Sequence, residues 1–310
     1  MPSPAFSALT AIGNTPFVQL RNIVPPQCAA IYLKLEYLNP TGSFKDRMAQ
    51  AIIEEAELRG TLQPGMTVVE CTAGSTGTAL AFVCAVKGYR FQVISSDAFA
   101  QEKLQSMRAL GADIQIVASE GGRITPDLIP RMIGIASELG QHPQNYWTRQ
   151  FENQDAIAGY RKMGLEIRQQ CPGPVNAFVA AVGTAGMLTG VSMELRQAWP
   201  EIKIVALEPA ESPLLTQGVK GSHSVDGVGV GFIPPLLSAA SYDEVRAIPE
   251  ARARDTARLL AAREGIFAGT STGLNVAAAL DVGCQLGPGY IVATVACDSG
   301  MKYLAGGLFN

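Results

Sequence analysis

Lys45 sits in the stretch NPTGSFKDRMAQ, residues 39–50. Ser43 there can cap a helix N-terminus, and Asp46, three residues on, completes a capping box. Met48, Ala51, Ile52 and Ala56 follow at helical spacing until Gly60 ends the run. Lys45 is then the second helical residue, where the macrodipole disfavours an ammonium by roughly a few tenths of a kcal/mol. Either the amine points into water at negligible cost, or it is kept uncharged so that it can attack a carbonyl and form a Schiff base. Three Gly/Ser/Thr turns add to this: TAGSTG (72–77), GTAGMLTG (183–190) and GTSTG (269–273). Each follows an apolar run and precedes a helix, so each offers bare backbone N–H groups and a helix N-terminus to an anion. Simple turn chemistry explains any one of them. Two anion-ready turns together suit a ligand with two anionic groups, such as a phosphate and a carboxylate. None fits G-x-G-x-x-G or G-x-x-x-x-G-K-[ST], so dinucleotide and P-loop readings fail.

The elements that must position these turns alternate from about residue 66. MTVVE, RFQVISS and DIQIVAS read as strands, separated by the helices TGTALAFVCAVKG and AQEKLQSMRALG. In the second half NAFVAAVG, KIVALEP and GYIVATVA are strands. AGMLTGVSMELRQAWP, EARARDTARLLAAREG and the segment after GTSTG are helices. Short apolar strands alternating with amphipathic helices predict parallel sheets covered on both faces, an α/β fold. Gly60, Gly88, Gly111 and Gly265 stand where helices should end. Residues 119–130 read as a polar insertion, and residues 210–236 as a long Gly- and Ser-rich segment of the kind that serves function or moves.

Bulk properties narrow the function. The 310 residues suffice for two domains. A net charge of −3 gives no basic field for nucleic acid or acidic lipid. The N-terminus has no secretory pattern, and no stretch approaches the roughly 20 apolar residues of a membrane span. Six cysteines without a CxxC pair argue against zinc, and they read as reduced, mostly buried residues of a cytoplasmic protein. With only two histidines, His142 and His223, histidine triads and multi-histidine metal sites are nearly excluded, and no metal is expected.

AIGNTPFVQL (11–20), NPTGSFKDR (39–47), TAGSTGTALA (72–81), GTAGMLTG, GVGVGF (227–232), GIFAGTSTG (265–273) and DSGMKYL (298–304) occur in the order and spacing of one family. By these motifs the whole chain resembles the fold-type II pyridoxal-phosphate enzymes, in the cysteine synthase and cystathionine β-synthase branch. The resemblance implies two three-layer α/β domains with mostly parallel sheets, tryptophan synthase β-like, and a cofactor in the interdomain cleft. The smaller domain would hold residues 37–152, with a part near 92–134 that moves when an amino acid binds. The larger would combine 13–36 with 153–310. Lys45 takes the family's Schiff-base lysine position. The turn Gly183, Thr184, Ala185, Gly186 and Met187 would hold the cofactor phosphate, and Ser271 would meet its pyridine nitrogen. The turn Thr72, Ala73, Gly74, Ser75 and Thr76, with Gln150 and Gly227, would hold the substrate, and Ser75 would also face the cofactor ring.

A hydroxyl at 271 does not force the ring nitrogen to stay protonated, so the ring is a weaker electron sink. Expulsion of a β-substituent as the α-proton leaves suits this better than transamination or decarboxylation. The resemblance therefore implies β-replacement on an activated L-serine, O-acetylserine-like, through an α-aminoacrylate, with Lys45 as general base. It also implies a small nucleophile, a homodimer and a serine acetyltransferase-type partner. Three departures set this chain apart: Ala73 and Ser75 stand where Ser and Asn are usual, and Met187 where a Thr is usual. Elimination to a keto acid and ammonia, or replacement with a non-sulfide nucleophile in specialised amino-acid biosynthesis, are the alternative enzyme readings. A homologue kept only to bind a partner is the non-enzymatic one, and retention of Lys45 and Ser271 speaks against it. Segment 210–236 offers only Lys220 and His223 as cations, read as solvated loop residues, which favours an uncharged leaving group.

Overall fold

A computed structural model describes residues 7–72, 74–121 and 127–309. In chain order these form β1 (Phe17–Gln19), β2 (Ala30–Leu35), α1 (Lys45–Leu58), β3 (Thr67–Cys71), α2 (Ser75–Lys87), β4 (Arg90–Ser96), α3 (Gln101–Ala109) and β5 (Asp113–Val117). Then follow α4 (Leu128–Gly140), β6 (Asn145–Trp147), α5 (Asp155–Gln170), β7 (Ala177–Ala181), α6 (Gly186–Ala198), β8 (Lys203–Pro209) and α7 (Leu214–Gln217). The chain closes with β9 (Glu244–Ile248), α8 (Glu250–Leu259), α9 (Thr270–Leu286) and β10 (Ile291–Ala296). Two compact units result. One takes the residues up to Ile12 with Lys45–Ala156, the other Gly13–Phe44 with the chain from Ile157 onward.

The first unit is built on a parallel sheet of order β5-β4-β3-β6. Alternation along the strands sends Val68 and Val93 to one core with α1, α2 and α3, and Val69, Cys71 and Ile94 to another with α4. That makes three layers. Gly88 ends α2 in the left-handed region at φ 79°, which closes the helix without a Cβ penalty.

The second unit carries a sheet of order β1-β2-β10-β7-β8-β9, parallel except where β1 pairs with β2. Every residue of β7 is buried, as expected of a parallel strand covered on both faces. Ala177, Val179 and Ala181 of β7 pack with α9 and the start of α8 in one core. The fold class is thus as expected, α/β with parallel sheets.

Several elements were not legible. β1 and β6 have only three residues each, too few for a period to show. Residues 119–130, expected as a polar insertion, run into α4, which begins at Leu128; residues 122–126 lie outside the described residues. The cysteine reading needs correction. Cys28 and Cys284 form a disulfide across 256 residues, while Cys71, Cys84, Cys171 and Cys297 are not disulfide-bonded. Spacing along the chain does not report spacing in the fold: Ala29 bonds to the Gly283 carbonyl (2.9 Å), which brings the neighbouring cysteines together.

Candidate active site

Lys45 is the first residue of α1, and Ser43, two residues before it, lies in an isolated antiparallel bridge to Asp298. The lysine is 8% exposed, and Asp46 and Arg47 beside it are buried as well. An amine sunk in a first helical turn does not point into water.

In the same unit, the turn after β3 leads into α2. Gly74 stands ahead of Ser75 as the N-cap of α2 and, being glycine, brings no capping side chain of its own, so the turn presents backbone at a helix N-terminus. Thr72 braces the turn: its Oγ1 accepts from the Gly74 N–H (3.2 Å), and its carbonyl accepts from Ser95 Oγ (2.9 Å). A Cβ at Gly77 would press on Met107 Sδ and Thr72 Cγ2, so a side chain there would force both to shift. The buried Thr76 donates through Oγ1 to Gln150 Oε1 (2.8 Å), and Gln150 Nε2 donates to the Cys71 carbonyl (3.0 Å). Two residues 74 positions apart, both assigned to the substrate carboxylate, are therefore joined directly. Ala73 lies outside the described residues.

The second unit holds the other two turns, at the carboxyl ends of β7 and before α9. Ala185 adopts φ 66° ahead of α6, whose N-terminus no side chain caps. Gly183 packs so closely on the Gly227 carbonyl that a Cβ would clash. The Gly229 N–H donates to the Val182 carbonyl (3.1 Å), fixing the loop of Gly227 against this turn. A hollow beside it is lined by Gly183, Glu208, Ser212, Leu214, Gly231 and Phe232.

Ser271 is buried at the second position of α9. Four residues on, Asn275 accepts from the Ala181 N–H (2.8 Å) and donates to the Val295 carbonyl (2.8 Å). One amide thus ties α9 to the ends of both β7 and β10. The segment Cys297–Ser299 then bridges two loops. The Phe44 N–H donates to the Cys297 carbonyl (3.0 Å), and Ser299 N–H to that of Gly42 (3.0 Å). On the other side, Gly269 N–H donates to the Asp298 carbonyl (3.1 Å), and Cys297 N–H to Thr272 Oγ1 (2.9 Å). The residue directly before Lys45 and the turn that carries Ser271 therefore share one anchor. Tyr303 completes it by donating to Asp298 Oδ2 (2.8 Å), and burial, then the Asp298 charge, holds its phenol well above its ordinary range.

Residues 8–298 match the family model described as pyridoxal-phosphate dependent enzyme. The chain belongs to that family. Members use pyridoxal phosphate, and this one is similar over its whole length to cysteine synthases. The cysteine synthase of Staphylococcus aureus is 40% identical over 99% of this chain and 98% of its own. The O-ureido-L-serine synthase of Streptomyces lavendulae is 38% identical over 98% and 92%. The solved O-acetylserine-dependent cystathionine β-synthase of Helicobacter pylori superposes with a TM-score of 0.92 at 34% identity, covering 99% of each chain. These family members share the two-sheet α/β fold.

Two supporting residues of this enzyme escaped the sequence reading, Glu70 and Asn275. Both carried a signal: a carboxylate inside the apolar run TVVEC, and an amide inside the apolar helix TSTGLNVAAAL. Buried polar groups persist where partners satisfy them. His223 also differs from its reading as a solvated loop residue. It is half-buried, its Nδ1 accepts from the Val225 N–H (3.2 Å), and its Nε2 lies 3.1 Å from the Gly229 carbonyl.

Proposed function

We propose that this enzyme performs β-replacement on an activated L-serine bearing an uncharged leaving group, exchanging it for a small nucleophile such as sulfide. The observation that carries the reading is Ser271, a hydroxyl buried at the N-terminus of α9 where a carboxylate would favour other chemistries. The residues fit the cofactor. An uncapped α6 N-terminus behind a left-handed Ala185 suits a phosphate, and Thr270 Oγ1 is buried beside Ser271 without a partner among the described residues. Gly183 to Met187 would hold the phosphate, Lys45 the carbonyl carbon, and Ser271 and Ser75 the ring. Pyridoxal phosphate supplies an electron sink that acidifies the Cα–H of a bound amino acid.

The remaining work falls to side chains. Thr72, Ala73, Gly74, Ser75 and Thr76, with the Gln150 amide, would orient the substrate carboxylate, and Gly227 would also meet the substrate. Lys45, buried and neutral once released, takes the proton from Cα. Both ring nitrogens of His223 are engaged within its own loop, Nδ1 by the Val225 N–H and Nε2 by the Gly229 carbonyl, so neither is turned to a dianionic leaving group. Lys220 is exposed. Both points support an ester such as O-acetylserine over O-phosphoserine. The similarity to an O-ureido-L-serine synthase supports a second reading, the same step with a non-sulfide nucleophile.

The reading extends to a homodimer in the cytoplasm, with an acetyltransferase-type partner making the donor. No helix of the described residues is long and apolar enough to cross a membrane, whereas the Cys28–Cys284 disulfide runs against a reducing compartment. The test is to offer O-acetylserine, serine and O-phosphoserine in turn, with and without sulfide, and to identify products. O-acetylserine with sulfide should yield cysteine. Keto acid at the same rate with and without sulfide would make the enzyme a lyase, and turnover of O-phosphoserine alone would overturn the leaving-group assignment.

A further inference from the structure

Glu70 is fully buried in the fourth position of β3 and plays no part in the chemistry above. All its contacts are donors. Oε1 accepts from the Cys71 N–H (2.7 Å) and Trp147 Nε1 (3.5 Å); Oε2 accepts from Thr148 Oγ1 (2.6 Å) and the Gln150 N–H (2.9 Å). No cation pairs with it among the described residues. Burial holds its pKa above the ordinary carboxylate range, and these hydrogen bonds oppose that only in part. A buried carboxylate satisfied only by dipoles is costly unless every donor is in place.

Its position explains the arrangement. The β3–β6 ladder runs from Thr67 opposite Asn145 to Val69 opposite Trp147, and Thr148 N–H still reaches the Val69 carbonyl (3.0 Å). Beyond that point Arg149 takes a left-handed conformation at φ 50°, which a residue with a side chain rarely adopts. Glu70 Oε2 clasps the chain on both sides of this bend, at Thr148 and at Gln150. The bend returns the Gln150 side chain to β3, where it bonds to Cys71 and to Thr76 of α2. Among the described residues Gln150 Nε2 donates only to the Cys71 carbonyl, which uses one of its two N–H groups.

We propose that Glu70 is a positioning residue for substrate recognition: its carboxylate locks the bend at Arg149, so that the Gln150 amide is held beside the α2 N-terminus ready for the carboxylate of the amino-acid donor. This rests on the assignment of Gln150 to that carboxylate. Glu70→Gln keeps the shape, but whichever way its amide turns, an NH2 group faces donors, either those of Cys71 and Trp147 or those of Thr148 and Gln150, and the one oxygen left carries no charge, so the hold on the bend weakens.

The test uses the holoenzyme and steady-state kinetics with the donor. Glu70→Gln should raise KM by about tenfold, the equivalent of one charge-assisted hydrogen bond, with kcat within about twofold and the cofactor spectrum unchanged. In a Gln150→Ala background the same substitution should change KM by less than about twofold, since the residue it acts through is gone. Equal factors in the two backgrounds, or a KM that stays level or falls in Glu70→Gln, would overturn the inference. If Gln150→Ala alone leaves KM unchanged, the assignment of Gln150 fails instead. Should Glu70→Gln not fold, Thr148→Val removes a single donor. It should raise KM severalfold and Thr148→Ser should restore it, while an unchanged KM in Thr148→Val would again overturn the inference.

Discussion

Lys45→Ala should retain the fold and lose the reaction. Turnover falls by about 10²–10⁴ from loss of the base alone, and the yellow colour of lysine-bound cofactor goes with it. The amine sits in a buried first turn of α1, so no solvent-borne base takes its place at Cα. Far-UV circular dichroism should match the parent, because α1 keeps the core contacts of Ala49, Ile53 and Ala56. A variant with parental turnover would remove Lys45 from the site.

Gly183→Val should release the cofactor phosphate. The new Cβ has no space, because the Gly227 carbonyl occupies it and that loop is fastened to Val182 through Gly229. Overpacking of this kind costs about 1–3 kcal/mol, so cofactor affinity should fall roughly fivefold to hundredfold. Equilibrium titration of the apoprotein with pyridoxal phosphate measures it. Gly134→Ala, in the open on α4, is the control and should titrate like the parent. Equal affinity in Gly183→Val would show that this turn does not carry the phosphate.

The features legible in the sequence were those with local causes. Gly60, Gly88, Gly111 and Gly265, read as helix ends, all take positive φ, and the apolar run RFQVISS is β4 residue for residue. What escaped depends on contacts distant in the chain. β6 exists because it adds to the edge of β3, and its three residues carry no period of their own. The disulfide joins cysteines at opposite ends of the sequence. Of the candidate site, the motifs could be marked, but the bonds that aim them could not. Glu70 reaches across about 80 residues to Gln150, and Asn275 across 94 to Ala181. Ser43 has a distant partner of the same kind, the bridge to Asp298, which no local pattern announces.

The central claim is that Lys45 is the amine that carries the cofactor. Borohydride reduction of the holoenzyme fixes pyridoxal phosphate on whichever lysine holds it, and proteolysis with mass spectrometry then locates the added mass. The account predicts the label on the peptide containing Lys45 and on no other lysine. A label on any other lysine, or a reduced holoenzyme whose Lys45 peptide is unmodified, would contradict it.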